Sequence, residues 1–256
     1  MRGLLVVVPA WNEELSVGDV VSGLRAFGLD VLVVDDGSKD ATSRVAAAAG
    51  AEVVRLPINL GVGGALRCGF RYAVKRGYEA VVQCDADGQH LPSEIAALVA
   101  AQSASGAHLV IGSRFHPEAD GFEVGIVRRF VMRLLARSAS RSTGVSISDA
   151  TSGFRLFAEP LLSAFAAEFP AHYLGDTYEA VATAGRAGYS VVEIPVRMRA
   201  RAHGQSSASP VAAARLTIRA LVVVGARLHF NIPRSDVESE CQPVSSTVAT
   251  DDCLEG

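Results

Sequence analysis

Short apolar runs rich in β-branched residues alternate with helix-length amphipathic segments through the first 115 residues of the chain. This alternation is typical of a parallel sheet whose strands are joined by crossover helices. The runs are almost continuously apolar, which indicates strands that are buried on both faces. The sequence therefore predicts an α/β fold with a mostly parallel sheet and flanking helices. The predicted strands cover residues 4–8, 31–34, 52–55, 80–84 and 109–112.

Helices are predicted between these strands, near 13–26, 40–49, 62–76 and 92–104. Asp40 is suited to cap the second helix, and Pro92 is suited to the first turn of the fourth. Beyond residue 115 the pattern changes. It predicts a basic helix at 124–141, a strand at 153–158, a helix near 175–187, a strand near 190–198 and a last amphipathic helix at 210–230.

The length and charge of the chain predict one folded domain followed by an acidic tail. A chain of 256 residues is long enough for a single large α/β core. The chain holds 24 basic and 27 acidic residues, and residues 233–256 contain one Arg and six acids, which leaves 23 basic and 21 acidic residues in 1–232. We therefore predict a slightly basic folded domain over 1–232 and a disordered tail over 233–256.

Several features favour a cytoplasmic protein. Four cysteines without metal-like spacing suit a reducing compartment. The short apolar run at 4–8 is followed at once by Pro9, Asn12 and Glu13, which is unlike a signal peptide. The sequence lacks a run of about 18 predominantly apolar residues, so no spanning helix is predicted.

Acidic residues follow two of the predicted strands at the point where each strand ends. Asp35 and Asp36 come after the strand at 31–34, and Asp85 and Asp87 come after the strand at 80–84. Ligands of open parallel sheets bind just beyond the carboxyl ends of the strands. Two carboxylates at i and i+2 suit a hard divalent cation that also binds phosphate oxygens. Each cluster taken alone is equally consistent with a solvated acidic turn.

Two further motifs accompany the acidic clusters. P-A-W-N-E-E follows the first strand, and N-L-G-V-G-G-A opens the third helix. Three glycines at a helix start, with Gly63 in the middle, permit close approach of the backbone and present amide N–H groups to an anion. The sequence contains no Walker-type G-x-x-x-x-G-K-[ST] loop.

Six motifs occur in order along the chain: P-A-W-N-E-E, D-D-G-S-K-D, N-L-G-V-G-G-A, D-A-D-G-Q-H, G-S-R-F and D-A-T-S-G-F-R. Over residues 4–206 this series resembles family 2 glycosyltransferases, most closely the branch of dolichol-phosphate mannosyltransferases and other polyprenyl-phosphate glycosyltransferases. The resemblance implies a GT-A fold, with a nucleotide-sugar half at about 1–114 and an acceptor half at about 115–232. It also implies an inverting enzyme that moves a hexose from a GDP- or UDP-sugar to a polyprenyl phosphate or related acceptor.

The resemblance assigns roles to individual residues. Asp85 and Asp87 match the D-x-D of the family, with Gln89 close by. They would bind Mg²⁺ or Mn²⁺ on the donor diphosphate, where the cation stabilises the charge of the leaving group. The other implied donor-binding residues are Pro9, Trp11, Glu13 and Asp36, with Gly63 at the helix start. The implied contacts near the reacting groups and the acceptor phosphate are Arg114, Arg155, either Arg128 or Arg129, and Arg201 and Ser206 of R-A-H-G-Q-S, where the family usually continues with Lys and this chain has Ser207.

The acceptor determines whether a general base is needed. A phosphate monoester is mostly dianionic near neutral pH, because its second pKa is about 6, and it needs arginines to position it. A hydroxyl acceptor needs a base, for which Asp176 and Glu179 are the candidates. Glu179 falls where the mannosyltransferase branch carries Glu, and either residue is also consistent with a helix-surface carboxylate.

The sequence contains two basic amphipathic segments. The first has Arg at four-residue spacing and no acid between Glu123 and Asp149. Such a helix suits an anionic membrane surface, and the pattern also fits a core-packed helix with a solvated Arg face. We predict peripheral attachment to the inner face of the cell membrane, with a separate membrane protein that presents the lipid as a further hypothesis. Nucleic acid is not a predicted partner, since stacking aromatics and a binding motif are absent. The arginines are Arg129, Arg133, Arg137 and Arg141 in the first segment and Arg215, Arg219 and Arg227 in the second.

Two alternative functions stay open. A sugar-phosphate nucleotidyltransferase shares the general architecture, but such enzymes usually open with a Gly-rich loop containing Arg or Lys, where this chain has P-A-W-N-E-E. A non-catalytic nucleotide-sugar-binding protein would keep the same fold, although the intact D-A-D argues against it.

Overall fold

One seven-stranded sheet organises the protein. A computed structural model describes residues 3–115, 126–169, 177–199 and 232, with 126–130 described by their backbone alone. The strands are β1 (Leu4–Ala10), β2 (Asp30–Asp35), β3 (Glu52–Arg55), β4 (Ala80–Gln83), β5 (Leu109–Ser113), β6 (Arg155–Ala158) and β7 (Val191–Pro195). Their order is β3-β2-β1-β4-β6-β5-β7. Only β6 runs antiparallel to its neighbours, β4 and β5, so the predicted mostly parallel sheet is confirmed.

Helices cover both faces of the sheet. They are α1 (Val17–Ala26), α2 (Thr42–Ala48), α3 (Gly61–Arg76), α4 (Ile95–Ser105), α5 (Ile126–Thr143), α6 (Leu161–Ala167) and α7 (Tyr178–Arg186). Successive side chains of a strand point to opposite faces. Accordingly Val6 and Val8 of β1 pack in a core with α1, α2 and α4. Leu5 and Val7 pack in a second core with α3, α5, α6 and α7.

The helix starts differ in detail from the sequence predictions. α1 begins at Val17 rather than near 13, because the preceding residues form a turn in which Ser16 and Val17 donate their N–H groups to the Glu13 carbonyl at 3.1 and 2.9 Å. Asp40 accepts the N–H of Thr42, the first residue of α2, at 3.0 Å. Its carboxylate therefore caps the helix, although the residue lies one position before the N-cap, Ala41. Pro92 begins a 3-10 turn, Pro92–Glu94, that leads into α4.

The short helix α6 was not predicted. Five of its seven residues are buried, and its L-L-S-A-F-A-A sequence shows no amphipathic period. A periodicity criterion does not detect such a helix, because the apolar residues are not confined to one stripe.

Several predictions fall on residues that the structure does not describe. The last helix at 210–230, the tail at 233–256 and the site residues Asp176, Arg201 and Ser206 lie outside the described residues. Arg128 and Arg129 belong to the part of α5 described by backbone alone. Among the described residues, none of the helices combines the length and apolarity that a bilayer crossing requires.

Candidate functional site

The loops that follow β1 and β2 are bonded to each other at the carboxyl edge of the sheet. Asn12 donates its N–H to Ser38 Oγ at 2.9 Å, and its side-chain oxygen accepts the Lys39 N–H at 2.8 Å. Glu13 donates its N–H to Thr42 Oγ1 at 2.9 Å. Asn12 has a φ of 55°, which Asn tolerates better than most residues. The motifs P-A-W-N-E-E and D-D-G-S-K-D therefore form one unit.

Asp35 and Asp36 are both buried, and they serve different neighbours. Asp35 accepts the Ser38 N–H at 2.8 Å, and its carboxylate lies 3.7 Å from Arg55 Nε, so it stabilises its own turn. Asp36 accepts the N–H of Leu60, just before α3, at 2.7 Å. Gly37, the residue after Asp36, has a φ of 71°, and a Cβ there would lie 2.9 Å from the Ile58 carbonyl carbon. Asp36 thereby fixes the Gly-rich start of α3 against the loop after β2.

The remaining predicted donor-binding residues differ in exposure. Trp11 is 53% exposed at the end of β1. Glu13 is half-buried, and its carboxylate accepts the Ser16 hydroxyl at 2.6 Å. Gly63 is buried in the first turn of α3. Pro9 is buried within β1, so the prediction that its side chain contacts a nucleotide is not supported, and its place in the strand positions Trp11 instead.

The D-A-D-G-Q-H loop follows β4 at the same edge. Asp87 is buried and accepts the Gln89 N–H at 3.0 Å. The side chain of Asp85 is 40% exposed, and its carboxylate accepts no hydrogen bond from the described residues. His90 lies beneath it: Nδ1 accepts the Asp85 N–H at 3.0 Å, and Nε2 lies 3.8 Å from Oδ2 of Asp85. Burial lowers the pKa of His90, although Asp85 and Asp87 oppose this effect. The ring stacks on Phe154 with centroids 4.7 Å apart.

These side chains fit a divalent cation that is shared with a substrate. Mg²⁺ is usually held by one or two carboxylates together with substrate phosphates rather than by a complete protein cage. Asp85 offers a carboxylate that no donor among the described residues occupies, and Asp87 and Gln89 follow it on the same loop. Within the described ranges, no three His, Cys, Asp or Glu side chains form a ready metal centre. A cation here would therefore take its remaining ligands from Gln89, water or a bound diphosphate.

Arg114 is held by a carboxylate that the sequence analysis did not single out. Its Nε and Nη2 donate to the two oxygens of Asp149 at 2.7 and 3.0 Å, and its backbone N–H donates to the same carboxylate at 3.2 Å. Burial would raise the pKa of Asp149, but the hydrogen bonds and charge of Arg114 outweigh it and the pKa is lowered. Burial likewise opposes the charge of Arg114, yet Asp149, followed by Asp85 and Asp87, raises its pKa. The guanidinium is therefore fixed and positively charged within the field of the D-x-D pair.

Gly153 is a second residue whose importance the sequence analysis missed. A Cβ at Gly153 would lie 2.7 Å from Oδ2 and 3.0 Å from Oδ1 of Asp85. The glycine thus leaves the space that the Asp85 carboxylate occupies. Both Asp149 and Gly153 belong to D-A-T-S-G-F-R. The sequence did contain a signal for Asp149, because it is the first acidic residue after the basic stretch that follows Glu123.

Two predicted site residues are more buried than their roles suggested. Arg155, at the start of β6, is 0% exposed and donates to the Ala150 carbonyl at 3.1 Å. Its predicted contact with the acceptor phosphate is therefore not supported, and the residue fixes the loop before β6. Glu179 lies in the first turn of α7 and is 6% exposed, so the alternative of a helix-surface carboxylate is wrong for Glu179.

The chain beyond β7 returns to the D-A-D-G-Q-H loop. Arg199 donates its N–H to the Gln89 carbonyl at 2.9 Å. Arg197 bonds to Glu94 at 2.9 Å. These contacts bring the last residues before R-A-H-G-Q-S alongside the loop that carries Asp85 and Asp87.

The fold and site together define an α/β protein with two acidic loops and a Gly-rich helix start at the carboxyl ends of its parallel strands. The model of the glycosyl transferase family 2 matches residues 5–165. The chain belongs to this family, and it is a glycosyltransferase.

Three relatives named as glycosyl-transferring enzymes of polyprenyl lipids match most of the chain. The polyprenol monophosphomannose synthase of Mycolicibacterium smegmatis is 34% identical over 224 residues, which cover 80% of this chain and 80% of the relative. The undecaprenyl-phosphate mannosyltransferase of Micrococcus luteus is 30% identical over 80% of this chain and 87% of its own length. The UDP-N-acetylglucosamine–dolichyl-phosphate N-acetylglucosaminyltransferase of Methanococcus voltae is 26% identical over 76% of this chain and 84% of its own length.

Solved structures share the fold. Glucosyl-3-phosphoglycerate synthase from Mycobacterium tuberculosis, crystallised with Mn²⁺, UDP and glucosyl-3-phosphoglycerate, superposes with a TM-score of 0.61 at 23% identity and covers 87% of this chain and 80% of that chain. The same enzyme with Mg²⁺ and UDP gives a TM-score of 0.61 at 24% identity, with 88% and 80% covered. The predicted GT-A fold is confirmed.

Proposed function

We propose that this glycosyltransferase inverts the anomeric centre of a hexose as it moves the sugar from a GDP- or UDP-sugar to a polyprenyl phosphate. The relatives from Mycolicibacterium, Micrococcus and Methanococcus are named for the synthesis of polyprenol monophosphomannose, for mannose transfer to undecaprenyl phosphate and for N-acetylglucosamine transfer to dolichyl phosphate. The similarity to the first two covers 80% of this chain, which is more than the predicted nucleotide-sugar half and therefore extends into the half predicted to receive the acceptor. The observation that carries the proposal is the carboxylate of Asp85, which is 40% exposed and accepts no hydrogen bond from the described residues, beside Asp87 and the fixed charge of Arg114.

Asp85, Asp87 and Gln89 would hold Mg²⁺ or Mn²⁺ at the donor diphosphate. Bound there, the cation stabilises the negative charge that develops on the leaving nucleoside diphosphate. Support comes from the oxygen-rich side chains of this loop and from the Mn²⁺ and Mg²⁺ of the M. tuberculosis structures with the same fold. Asp36 and the amide groups at the start of α3 would orient the nucleoside and diphosphate at the same edge.

Arg114 would act on the charge of the reacting groups. Its guanidinium is already oriented by Asp149, so little reorganisation is needed when charge shifts during the transfer. A phosphate acceptor attacks as an anion and requires no proton removal near neutral pH. Glu179 would then be a structural carboxylate, whereas a hydroxyl acceptor would give Glu179 or Asp176 the role of base.

A basic face of α5 supports peripheral attachment to a membrane that carries such an acceptor. Arg133, Arg137 and Arg141 are exposed on one side of the helix and form no ion pair with any described residue. Exposed arginines of this kind are attracted to anionic lipid headgroups. Nothing in the relatives or in the described residues supports the predicted membrane protein partner, so the proposal leaves it out.

The test is a screen of GDP- and UDP-hexoses with Mg²⁺ or Mn²⁺ and a short polyprenyl phosphate, with products identified by mass spectrometry. We expect one donor to give the lipid-linked sugar, and we expect Asp87→Ala to lower kcat/KM by about a hundredfold or more, since a ligand of the charge-stabilising cation is lost. Asp19→Ala, at an exposed acid of α1, is the matched control and should leave the rate unchanged.

Three outcomes would contradict the proposal. Undiminished transfer by Asp87→Ala would remove that residue from the mechanism. Donor binding by calorimetry without any product would favour the sugar-nucleotide-binding alternative. Release of pyrophosphate from a nucleoside triphosphate and a sugar phosphate would favour the nucleotidyltransferase.

A further inference from the structure

The edge strand β7 carries a carboxylate that binds the loop before β6. Glu193 Oε1 accepts the N–H of Asp149 at 2.8 Å. Its Oε2 accepts the N–H of Ser148 at 2.8 Å and the Ser148 hydroxyl at 2.7 Å. One side chain therefore accepts three hydrogen bonds from two consecutive residues, and both of its oxygens are used.

Both of these residues connect directly to Arg114. Asp149 holds the guanidinium through two hydrogen bonds. Ser148 Oγ lies 2.7 Å from the hydroxyl of Ser113, the residue that precedes Arg114, and that hydroxyl also accepts the Phe115 N–H at 3.2 Å. Glu193 thus reaches the side chain of Arg114 through Asp149 and its backbone through Ser148.

The chemistry of these contacts requires a carboxylate. Glu193 accepts only N–H and O–H donors, and an ionised carboxylate has acceptor sites on both oxygens. A glutamine would keep one acceptor oxygen and turn an NH₂ group toward a donor, which leaves that donor unpaired. Because Asp149 lies almost fully buried, movement of its backbone would change the direction of the guanidinium rather than be absorbed by solvent.

We propose that Glu193 is a positioning residue that sets the orientation of Arg114 through Ser148 and Asp149; its effect on catalysis rests on the sugar transfer proposed above. Among the described residues, Glu193 forms hydrogen bonds with Ser148 and Asp149 and none with the D-A-D-G-Q-H loop. Its influence on the reaction therefore passes through the fixed charge of Arg114.

The test compares Glu193→Gln with Glu52→Gln, a matched change on the opposite edge strand, where Glu52 bonds to Tyr72. The first readout needs no substrate: the side-chain Nε–H signal of Arg114 in ¹⁵N NMR, assigned by its loss in Arg114→Lys. In Glu193→Gln we expect solvent exchange of this proton to accelerate about tenfold, because its hydrogen bond opens more often. In Glu52→Gln the exchange rate should not change.

The second readout is kinetic. We expect Glu193→Gln to lower kcat about tenfold and to change the KM for the donor less than twofold, because an interaction made mainly in the transition state is weakened. In an Asp149→Asn background the same substitution should lower kcat by less than about twofold, since residues that act through one contact are not additive. If Glu193→Gln does not fold, Ser148→Ala is used instead. It removes the hydrogen bonds of the Ser148 hydroxyl to Glu193 and Ser113, and it should change the Arg114 exchange rate and kcat in the same directions by smaller factors.

Each outcome tests either the positioning role of Glu193 or the proposed sugar transfer. An unchanged Arg114 signal in a folded Glu193→Gln protein overturns the positioning role, and so do kcat losses that multiply in the Asp149→Asn background. A wild-type protein that transfers no sugar while its Arg114 signal still responds to Glu193→Gln overturns the proposed function and leaves the connection between the residues intact.

Discussion

Asp85 differs from the other acids at the carboxyl edge of the sheet in what it bonds to. Asp35, Asp36, Asp87 and Asp149 each accept at least one backbone N–H. The Asp85 carboxylate accepts none from the described residues and is 40% exposed. A carboxylate with unused acceptor sites beside a buried one suits a cation that arrives with its substrate.

The space next to Asp85 gives a test at this scale. Gly153→Ala would place a Cβ 2.7 Å from Oδ2 of Asp85, and the end of the Asp85 side chain can turn away at small cost to folding. We expect an unchanged melting temperature and an affinity for Mn²⁺, measured with saturating nucleoside diphosphate, that falls about tenfold, as for other changes that reorient a metal ligand.

The control is Gly23→Ala in α1, where an added Cβ meets Pro92 at an ordinary 3.5 Å. It should leave Mn²⁺ binding unchanged. Wild-type Mn²⁺ affinity in Gly153→Ala would show that the orientation of Asp85 is unimportant for the cation.

Some site residues could be predicted from local patterns, and others could not. Asp85 and Asp87 could be placed because a strand and its following loop are local features. The pairing of Arg114 with Asp149 joins residues 35 positions apart, and no local pattern predicts it. Burial of Arg155 was missed for a similar reason: its neighbours in the sheet, Gln83 and Ile111, come from other parts of the chain.

At the scale of elements, α3 lies against β1 through a glycine. A Cβ at Gly69 would lie 2.5 Å from Cγ1 of Val7, which is fully buried in the sheet and has no room to move. Overpacking of this kind costs about 1–3 kcal/mol, and the better helix propensity of Ala recovers up to about 1 kcal/mol. With the full offset, we therefore expect Gly69→Ala to lower the free energy of unfolding, measured with urea, by up to about 2 kcal/mol.

Gly23→Ala is the opposite case on α1, because its Cβ has space. It should raise the free energy of unfolding by about 0.5–1 kcal/mol through helix propensity alone. Equal effects of the two substitutions would mean that contact with β1 does not decide the residue at position 69.

The elements themselves were predictable to the extent that their patterns are local. Apolar runs located β1 to β5 to within about two residues at each end. The antiparallel direction of β6 and its place between β4 and β5 depend on pairing between distant segments, which the pattern of one strand does not encode. α1 starts late because residues before it bond to the loop after β2, and that contact exists only in the folded protein.

At the scale of the whole molecule, basic side chains recur at four-residue spacing on two helices of the same face of the sheet. Arg133, Arg137 and Arg141 are exposed on α5, while Arg67, Arg71 and Lys75 are exposed on α3. The two sets carry the same charge on the same kind of surface. Substitution of each set in turn therefore distinguishes attachment through one particular helix from a general attraction of positive charge to anionic lipid.

Replacement of Arg133, Arg137 and Arg141 by Gln should weaken binding to vesicles of phosphatidylglycerol and phosphatidylcholine in a sedimentation assay. Each basic residue near an anionic surface contributes about 1 kcal/mol, so loss of three should reduce the partition coefficient roughly a hundredfold. The same change at Arg67, Arg71 and Lys75 should have a much smaller effect if α5 is the helix that faces the lipid.

Binding of the wild type should fall as salt is added, because exposed charges are screened over about 10 Å at 0.1 M. Equal losses in the two triple variants would show that α5 has no special place at the membrane, and undiminished binding by the α5 variant would show that attachment comes from elsewhere in the chain.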